Sequence, residues 1–215
     1  MLPLSICAPS APVILREVVA GPGHAAAAVG FGLMLATQTK AAAPRDAMLL
    51  WVREAAAIAE TGDAYGPGLA ALGLSPERCI VMEARSPVDG LRAALEGARC
   101  SALHAVILET VTPIDLTASR RLKLAAEKSG VEIVLIRHGG RVAPNAAQIR
   151  WRVQGAPQMK PNGPRRAAFD VFVLKSSSGL DERSCIVEWD HERRCFAQTV
   201  SMPLDAVPVV GSLAA

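Results

Sequence analysis

The chain has 215 residues, which is enough for one well-packed core with a small appendage. Its composition is 51% hydrophobic and 4% aromatic, which excludes a disordered chain and is typical of a globular protein built on Ala, Val and Leu. The formal net charge of +3 is too small to indicate a nucleic-acid binder by itself.

The first half of the chain predicts strands that alternate with helical or irregular segments. The apolar, β-branched segment VILREVV, residues 13–19, predicts the first strand, and a Gly-Pro-Gly turn ends it. A short uninterrupted apolar run, AMLLWV, is typical of a strand that is buried on both faces of a parallel sheet. The predicted elements are a strand at 13–19, a helix from about 25 to about 40, a strand at 47–52, an irregular connection at 57–68 and a strand at 78–84.

Two helices follow with recognisable ends. Ser86 is the predicted N-cap of the first, with Pro87 at the first helical position and Asp89 three residues after the cap. Asp115 is the predicted N-cap of the second, and Gly130 ends it. Val88, Leu91, Leu95 and Ala98 are expected to share the buried face of the first helix. Strands are predicted at 103–109 and 131–137.

This alternation predicts an α/β fold with a parallel sheet and helices on both of its faces. After residue 140 the pattern becomes β-rich, and antiparallel strands are expected to extend one edge of the sheet. We expect a single domain made of an N-terminal extension at 1–12, a parallel core at 13–140, a C-terminal β-rich extension at 141–200 and a tail at 201–215.

The segment after the first strand has the outline of a phosphate-binding loop without its chemical groups. The template G-x-x-x-x-G-K-[ST], started at Gly21, places its second Gly on Ala26, its Lys on Ala27 and its Ser/Thr on Ala28. A methyl group can neither contact the β- and γ-phosphates nor hold Mg²⁺. We therefore interpret Gly21, Pro22, Gly23, Ala26, Ala27 and Ala28 as a vestigial phosphate loop, with no bound cofactor or metal and no ATPase activity.

Several segments resemble RecA and, more closely, the ImuA family of RecA-like mutagenesis proteins. The alanine-filled GPGHAAAAVGF, the stretch PIDLTASRRLKLAAEKSGV, the strand RWRV and the ending VEWD carry the resemblance, which covers roughly residues 13–200. It implies a RecA-like three-layer core. It also implies a role as an accessory protein of SOS-induced, error-prone translesion DNA synthesis, with RecA and ImuB as partners and a C-family polymerase in the same complex.

Other polar residues offer candidate sites. Glu109 ends the HAVILE strand, where a Walker B acid would stand, but without metal partners it is expected to be a solvated strand-end charge. Glu54, after the LLWV strand, lies near the place where RecA-like ATPases carry the residue that activates water. A cationic cluster around a Pro/Gly-rich segment is a candidate contact for a partner or for DNA. Its members are Arg150, Arg152, Lys160, Arg165 and Arg166.

The sequence thus predicts a non-catalytic adaptor. Two rivals stay open: a SulA-like inhibitor of cell division that binds FtsZ, and a nucleotide-dependent enzyme with an unrecognised site. Five cysteines without a CxxC pair argue against a disulfide framework or a zinc cluster and favour a reduced, cytoplasmic protein. The apolar stretch 25–36 is shorter than the ~20 residues that a membrane-spanning helix needs.

Overall fold

The computed structural model describes residues 13–38, 48–139, 143–158, 166–177 and 184–202, with the side chains of 198–202 excepted. Its helices are α1 (Ala25–Thr37), α2 (Ala55–Thr61), α3 (Gly66–Ala71), α4 (Pro87–Arg99) and α5 (Leu116–Ser129). Its strands are β1 (Leu15–Ala20), β2 (Met48–Glu54), β3 (Cys79–Ala84), β4 (Leu103–Thr110), β5 (Glu132–Arg137), β6 (Ile149–Gly155), β7 (Ala168–Ser176), β8 (Ser184–Asp190) and β9 (Cys195–Met202).

All of these strands form one nine-stranded sheet in the order β3-β2-β4-β5-β1-β6-β7-β8-β9. Pairing is parallel from β3 through β6 and antiparallel from β6 to β9. The expected α/β fold with an antiparallel C-terminal edge is confirmed. The parallel part continues past residue 140, because β6 pairs in parallel with β1 although it belongs to the stretch that we expected as the C-terminal extension.

Helices cover both faces of the sheet, so the core has two parts. On one face α1 packs on the sheet around Phe31, Trp51 and Trp151. On the other face α4 and α5 pack through Ala94, Ala98, Leu122 and Ala126. Apolar contacts of this kind supply the main stabilising free energy of a folded domain, at roughly 25 cal/mol for each Å² of apolar surface that is buried. Because the strands from β3 to β6 are parallel, their carboxyl ends lie at the same edge of the sheet.

The predicted helix ends are confirmed for α4 and α5. The Ser86 hydroxyl accepts a hydrogen bond from the Asp89 N–H at 3.2 Å, and Asp115 Oδ1 accepts one from the Ala118 N–H at 2.7 Å. Gly130 follows α5 with φ = 78°, a left-handed conformation that glycine adopts without strain. Local capping chemistry therefore determines where these two helices begin and where α5 ends.

Two expectations about local structure are wrong. The segment 57–68 is not an irregular connection, because α2 covers its first part and α3 begins within it. Val88 is not on the buried face of α4, since 55% of it is exposed. The residues of α4 that are buried are small: Gly90, Ala94, Gly97 and Ala98. A Cβ atom on Gly97 would lie 2.6 Å from Leu50 Cδ2, so this helix packs closely through its small residues.

Candidate functional site

The vestigial loop is a tight hydrogen-bonded turn between β1 and α1. The His24 N–H donates to the Gly21 carbonyl at 3.0 Å, which closes a β-turn with Pro22 and Gly23 at its centre. Gly23 has φ = 73°, and a proline followed by a residue of positive φ is the signature of a type II turn. α1 then starts at Ala25. The chain therefore turns directly into the helix instead of forming an open arch around a phosphate group.

The turn is also covered from β6. A Cβ atom on Gly21 would lie 2.5 Å from Gln154 Cγ, so the Gln154 side chain lies directly on this glycine. The Gly155 N–H donates to His24 Nδ1 at 3.2 Å, and the Gly21 N–H donates to the Val153 carbonyl at 2.9 Å. Within the turn, the N–H of His24 and that of Gly21 are thus engaged inside the protein. These two backbone donors are therefore not directed toward solvent.

The alanines that stand at the template positions differ in exposure. Ala26 is exposed, Ala27 is half-buried, and Ala28 is 0% exposed and packs in the core below α1. The position that corresponds to the Mg²⁺-binding hydroxyl therefore faces the core in this structure.

Glu109 does not have the solvated position that the sequence suggested, and that expectation is wrong. It is 0% exposed, and both of its carboxylate oxygens are bound by side chains. Arg53 Nε donates to Oε2 at 2.7 Å. The Thr61 hydroxyl and His138 Nε2 each lie 2.9 Å from Oε1. We call Arg53, Thr61, Glu109 and His138 the Glu109 network. Both carboxylate oxygens of Glu109 therefore accept hydrogen bonds from side chains of the same chain.

The electrostatics of Glu109 follow from these contacts. Burial raises the pKa of its carboxyl group, but the hydrogen bonds from His138 and Arg53 and the positive charge of Arg53 lower it to about 2. The carboxylate is therefore ionised at every physiological pH. The Arg53 guanidinium also lies 4.3 Å from the centre of the Trp51 ring, so both sides of the cation have partners.

Glu54 is likewise bound by groups of the same chain. Glu54 is buried and accepts hydrogen bonds from the Thr110 hydroxyl, from the Val111 N–H at 3.1 Å and from the Thr112 hydroxyl at 3.2 Å. These contacts connect the ends of β2 and β4. The Glu54 carboxylate therefore has a structural role in this chain.

Glu17 of β1 explains why Arg150 is not part of an exposed surface. Arg150 is 6% exposed and Arg137 is 2% exposed. Both side chains form ion pairs with Glu17, and Arg137 Nε lies 3.3 Å from Glu17 Oε1. Asn145 Nδ2 donates to the same carboxylate at 2.9 Å. The expectation that Arg150 contacts DNA or a partner is therefore corrected, because its charge is used inside the fold.

The rest of the expected cationic cluster is dispersed. Arg152 is exposed and lies over the Phe172 ring at 5.9 Å. Arg166 is half-buried and lies 3.5 Å from Asp190. Lys160 and Arg165 lie outside the described residues. The structure therefore does not assemble these five cations into one surface among the residues that it describes.

Sequence reasoning missed α2, which carries Thr61 to Glu109 and covers that side of the network. The sequence signal of this short helix is the alanine-rich AAAIAET followed by a glycine. In the structure this glycine, Gly62, ends the helix with φ = 77°. Within the described ranges, no group of three or more His, Cys, Asp or Glu side chains could hold a metal ion. In the same part of the chain, no helix is long and apolar enough to cross a membrane.

The chain is similar in sequence to Protein ImuA of Caulobacter vibrioides. The proteins of strain NA1000 / CB15N and of strain ATCC 19089 / CIP 103742 / CB 15 are each 36% identical to it over 114 residues, which cover 48% of this chain. The matched part is 46% of each relative, so the chain spans about half the length of the curated relatives it matches. No protein-family model matches it.

Among solved structures, the crystal structure of SulA from Pseudomonas aeruginosa overlaps 58% of this chain and 98% of its own, with 18% identity and a TM-score of 0.44. That likeness is too low to carry an argument about function. The sequence identity of 36% shows that about half of the chain is similar to Protein ImuA.

Proposed function

We propose that this chain is a non-catalytic, RecA-like accessory protein of SOS-induced, error-prone DNA synthesis. In this role it binds RecA, ImuB or both in the cytoplasm and helps to assemble a complex that contains an error-prone C-family polymerase. The similarity to ImuA supports the accessory role. The observation that supports the proposed lack of catalysis is the closed turn at Gly21–His24.

The turn argues against nucleotide turnover because phosphoryl transfer depends on positioning and on neutralising charge. Ala27 and Ala28 offer neither a cation nor a hydroxyl at the template positions. Glu109, at the Walker B position, has its oxygens bound by Arg53, Thr61 and His138. Each missing charge-assisted hydrogen bond weakens binding by roughly 1.5–3 kcal/mol, so Mg·ATP is expected to bind at least about two decades more weakly than to an intact site.

A thermal-shift titration with Mg·ATP tests the non-catalytic part. We expect no rise in the unfolding midpoint at nucleotide concentrations that saturate an intact RecA-type ATPase measured beside it, since only a ligand that binds the folded state raises the midpoint. Saturable ATP turnover by the purified chain would contradict the proposal. It would favour a nucleotide-dependent enzyme instead.

A binding experiment tests the accessory role. The purified chain is passed over immobilised RecA and immobilised ImuB from the same genome, and FtsZ serves as the comparison that a SulA-like inhibitor would require. We expect retention by RecA, ImuB or both and none by FtsZ. If neither RecA nor ImuB retains the chain, the proposed role is wrong. Retention by FtsZ alone would favour a SulA-like inhibitor of cell division instead.

A further inference from the structure

A groove of about 720 Å³ lies between α4 and α5, on the helical layer that covers one face of the sheet. Leu95 and Arg99 of α4 line one side, and Arg121, Leu124 and Lys128 of α5 line the other. We call it the α4–α5 groove. It is separate from the Gly21–His24 turn, which belongs to the face that α1 covers.

The groove contains an exposed apolar side chain. Leu124 is 58% exposed, although it lies near the middle of α5, and the half-buried Leu95 is beside it in the lining. Burying such a side chain against a partner releases water and favours association. The neighbouring Leu122 and Ala126 of α5 are buried in the core, so the exposure of Leu124 is not caused by a loosely packed helix.

The charge of the groove is positive. Arg121 and Lys128 are exposed, and neither forms an ion pair with any residue that the structure describes. Arg99 is partly neutralised, because its Nη1 lies 2.7 Å from Glu96 Oε1. No carboxylate is among the described residues that line the groove. A ligand with negative charges is therefore complementary to it.

A protein segment fits this combination better than a nucleic acid. Single-stranded nucleic acids bind through cations together with aromatic side chains on which bases stack, and no aromatic side chain is among the described residues of the lining. Bound phosphates would contact Arg121 and Lys128 but would leave Leu124 in water. An amphipathic helix with carboxylates beside an apolar stripe would satisfy both cations and cover the leucine.

We propose that the α4–α5 groove is the docking site for an acidic, amphipathic helical segment of a partner protein. An apolar side chain of that segment packs on Leu124, and its carboxylates pair with Arg121 and Lys128. The inference rests on the proposed function only for the identity of the partner, because the surface and its chemistry come from the groove itself.

Fluorescence anisotropy with designed peptides tests the proposal. The probe is a labelled helical peptide of about five turns, or roughly 18 residues, with leucines along one face and glutamates on the other. A matched peptide carries lysines in place of the glutamates, and a labelled single-stranded oligonucleotide represents DNA. We expect the wild-type protein to bind the glutamate peptide at least about tenfold more tightly than the lysine peptide.

Variants then locate the binding site. Leu124→Glu, and Arg121→Glu combined with Lys128→Glu, should each weaken binding of the glutamate peptide by about tenfold or more. Leu116→Glu and Arg120→Glu are matched controls, because both residues are exposed on α5 but do not line the groove. These controls should bind the peptide as the wild type does. All changes are at exposed positions, and unfolding midpoints verify that each variant is folded.

Three results would overturn the proposal: no binding of the glutamate peptide, equal binding of both peptides, or binding that the groove variants leave unchanged. Tight oligonucleotide binding that the same variants abolish, without peptide binding, would assign the groove to DNA instead. Retention by RecA and ImuB is measured in parallel. If Leu124→Glu is retained as well as the wild type, the groove assignment is wrong and the proposed function stands. If neither protein retains the wild type but the peptide results hold, only the proposed function fails.

Discussion

Replacing Glu109 by Gln tests whether the Glu109 network is structural. The substitution keeps the shape of the side chain but removes its negative charge. Arg53 is 2% exposed, and its guanidinium remains charged in the variant without a counter-ion. Removing one partner of a buried pair costs about 3–5 kcal/mol, because the other charge is left uncompensated. We therefore expect the free energy of unfolding to fall by about that amount.

The pKa of Glu109 gives a second route to the magnitude. Contacts in the folded state lower this pKa from 4.5 to about 2. Because the folded-state pKa is depressed, the stabilisation is fully present above pH 4.5 and is lost as the pH falls toward about 2. The difference between the two pKa values corresponds to roughly 3 kcal/mol at about 1.36 kcal/mol for each pH unit.

Urea unfolding near neutral pH and again near pH 3, followed by tryptophan fluorescence, measures both effects. The chain has 3 tryptophans, all of them buried, so their emission reports loss of the core. The wild type should lose stability on acidification, and the variant should lose less, because it lacks the carboxylate that becomes protonated. Glu96→Gln is the control, since the Glu96 side chain is 70% exposed and its loss should cost at most about 0.5 kcal/mol.

The reasoning is refuted if Glu109→Gln unfolds at the same urea concentration as Glu96→Gln. That result would mean that the buried charge of Arg53 is compensated in some other way. A rise in stability on adding Mg²⁺ to the wild type, absent in Glu109→Gln, would show instead that Glu109 binds metal.

Further substitutions test other parts of the structure. Gly97→Ala should lower the free energy of unfolding by about 1–3 kcal/mol, because its Cβ would lie 2.6 Å from a leucine methyl carbon of β2. Gly90→Ala in the same helix should be neutral or stabilising by up to about 1 kcal/mol, since its nearest neighbours would be 3.5 Å away; equal urea midpoints for the two variants would contradict this. Asp115→Ala should cost about 1 kcal/mol by removing the N-cap of α5, and Asp115→Asn, which keeps an acceptor, should recover most of it in the same assay. The double variant Ala27→Lys and Ala28→Ser restores the Lys and the hydroxyl residue of the phosphate-loop template. It should gain no thermal stabilisation from Mg·ATP, because position 28 is 0% exposed. A clear rise in the unfolding midpoint would show that the turn can open.

Elements with local signals could be predicted from the sequence. The N-caps Ser86 and Asp115 act on N–H groups three residues ahead, and Gly130 acts on the turn that precedes it. These interactions depend on neighbours in the chain, so the local amino-acid sequence is enough to predict them. The α/β alternation could be predicted for the same reason, because each strand is a short apolar run.

Of the residues expected on one face of α4, Ala98 is buried and Leu91 and Leu95 pack partly buried against the core, but Val88 is exposed. Apolar size is therefore not a sufficient sign of burial in this helix. Glycine and alanine form the contact instead, which lets the helix approach β2 and β4 closely. Large side chains such as Val88 then lie beside the contact and not within it. Periodicity predicts that a helix is amphipathic, but the distance between the layers decides which residues face the sheet.

The Glu109 network could not be predicted, because it depends on tertiary contacts. Arg53 is 56 positions away from Glu109 in the chain, Thr61 is 48 positions away and His138 is 29. A strand-end acid without a visible partner was therefore assigned to solvent. The pairing of β2 with β4, which places Arg53 opposite Glu109, is known only once the strand order is known.

The turn at Gly21–His24 also limits how this surface could change in the future. Side-chain replacement alters which groups the turn carries, but it does not alter the length of chain between Ala20, the last residue of β1, and Ala25, the first of α1. Recovery of an anion cradle at this place would thus require the turn itself to open within the same number of residues. Opening it would break the hydrogen bond between the His24 N–H and the Gly21 carbonyl. The closed turn also links β6 to the start of α1, because the Gly21 N–H donates to the Val153 carbonyl and the Gly155 N–H donates to His24.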